Sequence, residues 1–224
     1  ECLGLPGTRI RRGLFELLET LDIKELDVFM FAKNNVDKCY AYLAMSQNLK
    51  KLPKGKMLNL VIEHILQQKE ICLENILRVL AIRDQTGRMK TAWRGLFSPD
   101  TRQRANAIEL LSDIMDHRLF NAILPLLESP SPAMALIEGK KVAVIPKFDP
   151  EGKEVFSNLL SSEDWVDVIM GLSLSYENPS LVEGNELFKE LEISINKNIL
   201  KEVQMILMKN GQAPKNPQKI KSTE

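Results

Sequence analysis

Apolar residues recur at helical spacing along almost the whole chain. That pattern restricts it to folds in which amphipathic helices bury their stripes against one another. Ile10, Leu14, Leu17, Leu18 and Leu21 share one face, and Thr8 can cap the start of that helix. A second helix is expected over Glu25 to Ala32. A third follows Asn34, with Val36, Cys39, Tyr40 and Leu43 on one side. Pro53 and Gly55 mark a turn over Lys50 to Gly55. The stripe from Met57 to Ile82 is long and weakens over Gln67 to Glu70, which fits one bent helix or two abutting ones.

Further along, the expected helices cover Arg88–Phe97, Thr101–Met115 and the stretch after Asp116, which should cap it. The stripe of the Thr101 helix is wide enough for packing on two sides. Pro125 lies inside the next helix and should bend it. Residues 129–153 read as a long irregular connection, with a short helix at Ala133–Glu138 and an extended, β-like run at Lys140–Ile145. Helices return at Val155–Leu160, Glu163–Tyr176 and about Leu181–Lys209, with Gly184 and Asn185 as a break. The fold class is therefore all-α. The expected organisation is N-terminal helical hairpins over 1–56, stacked hairpin repeats over 57–209, and a disordered tail over 210–224.

A repeat supports stacking. Leu96-Phe97-Ser98-Pro99-Asp100 recurs as Leu126-Leu127-Glu128-Ser129-Pro130 and as Leu159-Leu160-Ser161-Ser162-Glu163-Asp164. In each, two apolar residues end one helix, and a Ser or an acid caps the next. A lone helical hairpin cannot bury its apolar face, so such units stack.

These pieces resemble HEAT repeats, which implies an α–α superhelix of HEAT/armadillo-like hairpins. The carriers are Leu159 to Val166 and the Ser98 to Leu111 block. More narrowly, residues about 71–175 resemble the soluble helical-repeat module that follows the transmembrane part of some bacterial transporters related to nucleotide (ATP/ADP) carriers. Asn75 to Ile82, Arg104 to Leu111 and Leu124 to Glu128 carry that likeness. It implies a cytoplasmic module of a larger protein anchored in the inner membrane, in which a cyclic-nucleotide-binding-like domain often follows. It also implies inter-repeat polar ladders, with Arg104 and Asn106 as candidates. The start at Glu1 suggests an excised fragment or a processed chain.

Chemistry is harder to find. No phosphate loop, dinucleotide fingerprint or nucleophile elbow occurs. Cys2, Cys39 and Cys72 are odd in number and widely spaced, as buried reduced thiols would be. His64 and Cys72 could share a helix face, but a metal site needs more ligands, so packing is the favoured reading. Asp164 with Asp167 reads as a solvated acidic face. No cofactor, metal or small-molecule ligand is expected, and no enzymatic activity.

Charge is the remaining clue. The chain has 30 basic and 30 acidic residues. Residues 1–148 carry 22 basic and 17 acidic, a net of +5, whereas 149–192 carry 2 and 11, a net of −9. Residues 78–104 alone hold seven cations against Asp84 and Asp100, a net of +5. Arg88, Trp93, Arg94, Arg102 and Arg104 are the candidate partner-binding residues, with Trp93 or another exposed apolar residue as the anchor. The expected role is a non-catalytic scaffold for a protein partner or an adjoining domain of the same polypeptide. A nucleic-acid-binding solenoid is the alternative, and the acidic region counts against it.

Overall fold

The computed structural model describes residues 13–18, 27–84 and 86–188. Among them every regular element is helical: α1 (Val28–Leu49), α2 (Lys56–Arg83), α3 (Arg88–Leu96), α4 (Thr101–Ile114), α5 (His117–Glu128), α6 (Pro132–Gly139), α7 (Lys153–Leu160) and α8 (Trp165–Glu177), then a 3₁₀ turn at Pro179–Leu181. No helix among the described residues is long and apolar enough to cross a membrane. The described residues up to Glu183 form one unit.

The long pair α1–α2 is an antiparallel hairpin joined by the 50–55 turn. Ala32, Val36, Cys39, Tyr40 and Leu43 line the buried side of α1. A helix start expected between Ala32 and Val36 is not observed: α1 runs straight through Asn34 and Asn35. Asn35 is buried and turns its amide back to the Phe31 carbonyl at 2.9 Å. The mild helix aversion of Asn, about 0.7 kcal/mol at most, is small beside the burial of Ala32, Val36 and Cys39. The thin stripe at Gln67–Glu70 also stays within one helix, α2.

The three sequence repeats are three helix–turn–helix corners. Leu96, Glu128 and Leu160 end α3, α5 and α7, and α4, α6 and α8 begin a few residues later. Two corners are built alike. Ser98 Oγ accepts from Asp100 N–H at 3.2 Å, and Ser162 Oγ accepts from Asp164 N–H at 3.1 Å. Asp100 and Asp164 then cap their helices by accepting from Arg102 and Val166 N–H. Each serine hydroxyl also donates to the side chain five residues on, Gln103 or Asp167, at 2.7 Å. The middle corner is capped by Ser131, with Pro132 opening α6.

The short hairpins α3–α4, α5–α6 and α7–α8 pack around the long one. α2 meets α3 towards its C-terminal end and α8 towards its N-terminal end, while α1 meets α5, α6 and α7. Three joints hold this arrangement. Tyr40 is fully buried and donates to the Ala122 carbonyl at 2.8 Å, with its ring against the backbone of Gly139. Asn48 donates to the Asp149 carbonyl at 2.5 Å. Glu177, at the end of α8, accepts from Met57 and Leu58 N–H at 3.0 and 3.1 Å. Glu177 thereby caps α2, whose own N-cap position, Gly55, has no side chain to do so. A Cβ on Gly55 would overlap the Glu177 carboxylate.

The 129–153 connection contains one helix, α6, followed by turns to Val142 and an irregular run to Asp149. The β-like run expected at Lys140–Ile145 is not a strand, because no neighbouring strand pairs with it among the described residues. The helix expected over Leu181–Lys209 does not start at Leu181. The 3₁₀ turn and Gly184 at φ 76° precede a helical turn at residues 186–188. The rest of that helix, the first helix from Ile10 except for residues 13–18, and the tail lie outside the described residues.

Candidate functional site

Where α3–α4 meets α2 and α5, the helices do not close on one another. A cleft of about 790 Å³ remains, lined by Lys69, Glu70 and Leu73 of α2, Leu96 and Phe97 at the end of α3, Thr101, Arg104, Ala105 and Ile108 of α4, and Leu126, Leu127 and Glu128 of α5. The lining follows from helix periodicity: positions 101, 104, 105 and 108 form one face of α4. Positions 103 and 107 face α3, where Gly95 admits the Ala107 methyl. Leucine and isoleucine side chains share the wall of the cleft with charged and hydroxyl groups. Phe97 remains 51% exposed at its edge. The carboxylate of Glu70 ion-pairs with Lys69, whose side chain is otherwise buried. Arg104 and Glu128 make no ion pair among the described residues.

Of the five predicted contact residues, Arg104 lines the cleft and the others lie outside it. Arg94 and Arg102 are exposed and, like Arg104, without an ion pair among the described residues. Arg102 is turned about 160° from Arg104 around α4. Arg88 pairs loosely with Asp113 at 3.8 Å. Trp93 is half-buried, and the Arg78 guanidinium lies 4.9 Å from its ring centre, held there by Glu74 at 2.9 Å. Cation–π stacking of this kind uses Arg78 and Trp93 to fasten α3 to α2. Arg104 and Asn106, the candidates for a ladder between repeats, are both exposed.

No family model, curated protein or solved structure matches the chain.

Two polar clusters lie elsewhere. His64 Nε2 is 2.6 Å from Asp167 Oδ1, and Ser162 donates to the other oxygen of the same carboxylate. A serine nucleophile needs the imidazole as its immediate base, with the carboxylate behind. Here the carboxylate is in the middle, so the cluster joins α2 to α8 and activates nothing. Cys72 does not face His64. It lies against Cys39 across the α1–α2 seam, and both are buried thiols. The hydrogen bond with Cys72, reinforced by burial, pushes the Cys39 thiol well above its ordinary value. Cys39 also donates to the Lys69 carbonyl at 3.4 Å. A thiol so held is a poor nucleophile. Among the described residues no three His, Cys, Asp or Glu side chains converge as a metal site would require.

Of the residues that shape the cleft, Arg104 alone is a predicted contact residue. Phe97 is a large apolar residue at a corner where its repeat partner, Leu160, is buried.

Proposed function

We propose that the chain is a non-catalytic helical-repeat scaffold of HEAT-like character that takes a protein partner, or an adjoining domain of its own polypeptide, in the α2–α4–α5 cleft. One observation carries the reading: exposed Phe97 stands at the edge of the cleft beside an arginine, Arg104, that makes no ion pair among the described residues. Exposed aromatics and arginines at the mouth of a recess are the groups that dominate protein interfaces. The cleft is lined by four leucines and an isoleucine. It also offers charge of both signs, Arg104 on α4 and Glu128 on α5, as an amphipathic helix in a groove would use. The mixed rim gives a nucleic-acid reading no support, since phosphates would meet Glu70 and Glu128. Work in the cytoplasm beside a membrane-anchored parent is part of this proposal, and it rests on the likeness of residues 71–175 to the transporter-associated module.

The test is a selection of helical peptides from a random amphipathic library on the full chain. The selected peptides are then titrated against Phe97→Asp, Arg104→Glu and Arg102→Glu. The proposal expects binders that lose at least tenfold in affinity with the first two variants and little with the third. Binders indifferent to Phe97→Asp and Arg104→Glu would place the interaction surface elsewhere.

A further inference from the structure

The segment after α6 stands apart from the rest of the molecule. Residues 143–148 belong to no helix. From Val142 to Ile145 exposure alternates, with Val142 and Val144 facing out and Ala143 and Ile145 packed on the core, and the alternation stops at half-buried Pro146. Val144 is 83% exposed, the most open large apolar side chain among the described residues. Alternation with period two is the signature of a chain lying as a strand with one face buried. The backbone amides of Val142 and Ala143 are used, both bonding to the Gly139 carbonyl. Those of Val144, Ile145, Lys147 and Phe148 find no acceptor among the described residues. In an extended chain the amides of Ile145 and Lys147 project to the same side, while Pro146 removes a donor from the opposite side. One edge of this segment is thus ready for pairing. Lys140, Lys141 and Lys147 flank it, all exposed and without an ion pair among the described residues.

From these features we infer that residues 143–148 form a docking edge for an extended, acidic segment of a partner protein, which adds to it as a β-strand. Main-chain hydrogen bonds to Ile145 and Lys147 supply the affinity, as in other cases of strand addition. Alternate apolar residues of the partner cover Val142 and Val144, and its carboxylates meet the three lysines. The charge decides against two other occupants. A second copy of this edge would set lysine against lysine. An anionic lipid surface would attract the lysines, but burying Val144 in it would strip water from free amides without replacing their hydrogen bonds. This edge is separate from the α2–α4–α5 cleft, and neither reading depends on the other.

The experiment uses the full chain and three probes. The first is a fluorescent hexapeptide alternating glutamate and valine. The second is the same peptide N-methylated at alternate amides. The third is a vesicle of phosphatidylcholine with phosphatidylserine. Anisotropy should show saturable binding of the first peptide that weakens with salt. Lys141→Glu combined with Lys147→Glu should weaken it by about tenfold or more, as the loss and reversal of several surface ion pairs implies. Circular dichroism of that variant should remain that of the wild type. The methylated peptide should not bind, because it cannot pair its backbone. Absence of binding by the unmethylated peptide, equal binding by the methylated one, or binding to vesicles alone would each overturn the inference.

Discussion

Gly139→Ala is the sharpest test of how the short hairpins are seated on the long one. A Cβ built on Gly139 would lie 2.0 Å from Cε1 and 2.6 Å from Cζ of Tyr40, far inside van der Waals contact. The ring cannot retreat freely. Tyr40 is fully buried, and its hydroxyl is tied to the Ala122 carbonyl at 2.8 Å. Burial also raises its pKa, so the phenol stays neutral and cannot gain solvation by ionising. Alanine is the better helix former by at most about 1 kcal/mol, and less at the last residue of α6. Overpacking costs about 1–3 kcal/mol, and losing the Tyr40 hydrogen bond adds about 0.5–1.5 kcal/mol. The clash therefore outweighs the propensity, and the net expectation is a loss of about 1–3 kcal/mol. Urea denaturation followed by circular dichroism measures it, with an unchanged slope showing that the unfolded state is the same. The same substitution on a Tyr40→Leu background should cost at least about 1 kcal/mol less, because the atoms in the way are gone. An equal penalty on both backgrounds, or a stabilised single variant, would refute the argued contact.

Three further outcomes follow from the same structure. Leu111→Ala, at a position with no exposure, should cost about 2–5 kcal/mol in the same urea titration, and half-buried Leu110→Ala distinctly less. Asp167→Ala strands His64 and Ser162 half in the interior and should cost about 1–3 kcal/mol, most of which His64→Leu with Asp167→Leu should recover in calorimetric melting. Burial tends to raise the pKa of Asp149, but the backbone N–H groups of Glu154, Lys153, Glu151 and Gly152 outweigh it and lower the net value. Its stabilising contribution is therefore complete above about pH 4 and is lost as pH falls through its folded pKa. The stability gap between wild type and Asp149→Asn should shrink between pH 6 and pH 2.

The helical character and the corners were legible because both are local. Ser98-Pro99-Asp100 and Ser162-Glu163-Asp164 cap the next helix with groups two to five residues away, and the apolar stripes name the buried faces directly. What stayed hidden depends on pairing across long separations. Glu177 reads as one more surface acid until Gly55 places it on the amides of Met57 and Leu58. His64 offers no hint of Asp167, which is 103 residues away. Trp93 looked like an anchor because nothing near it in sequence shows that Arg78 covers it. The cleft was invisible for the same reason: it is a gap between three helices, and a gap has no sequence of its own. Arg104 alone among the predicted contact residues reached it, since the charge count treated both faces of α4 alike.

The capping of α2 by Glu177 has a consequence for the nascent chain. The amide of Met57 waits for a carboxylate 120 residues further on. At about 5–20 residues per second on the ribosome, the α1–α2 hairpin spends on the order of 10 s with that end open. During that interval the grooves later filled by α5 to α8 are bare, and the thiols of Cys39 and Cys72 are less enclosed than in the finished molecule. The long hairpin is thus made before the short ones and completed by the last of them, which leaves its end open while they are synthesised.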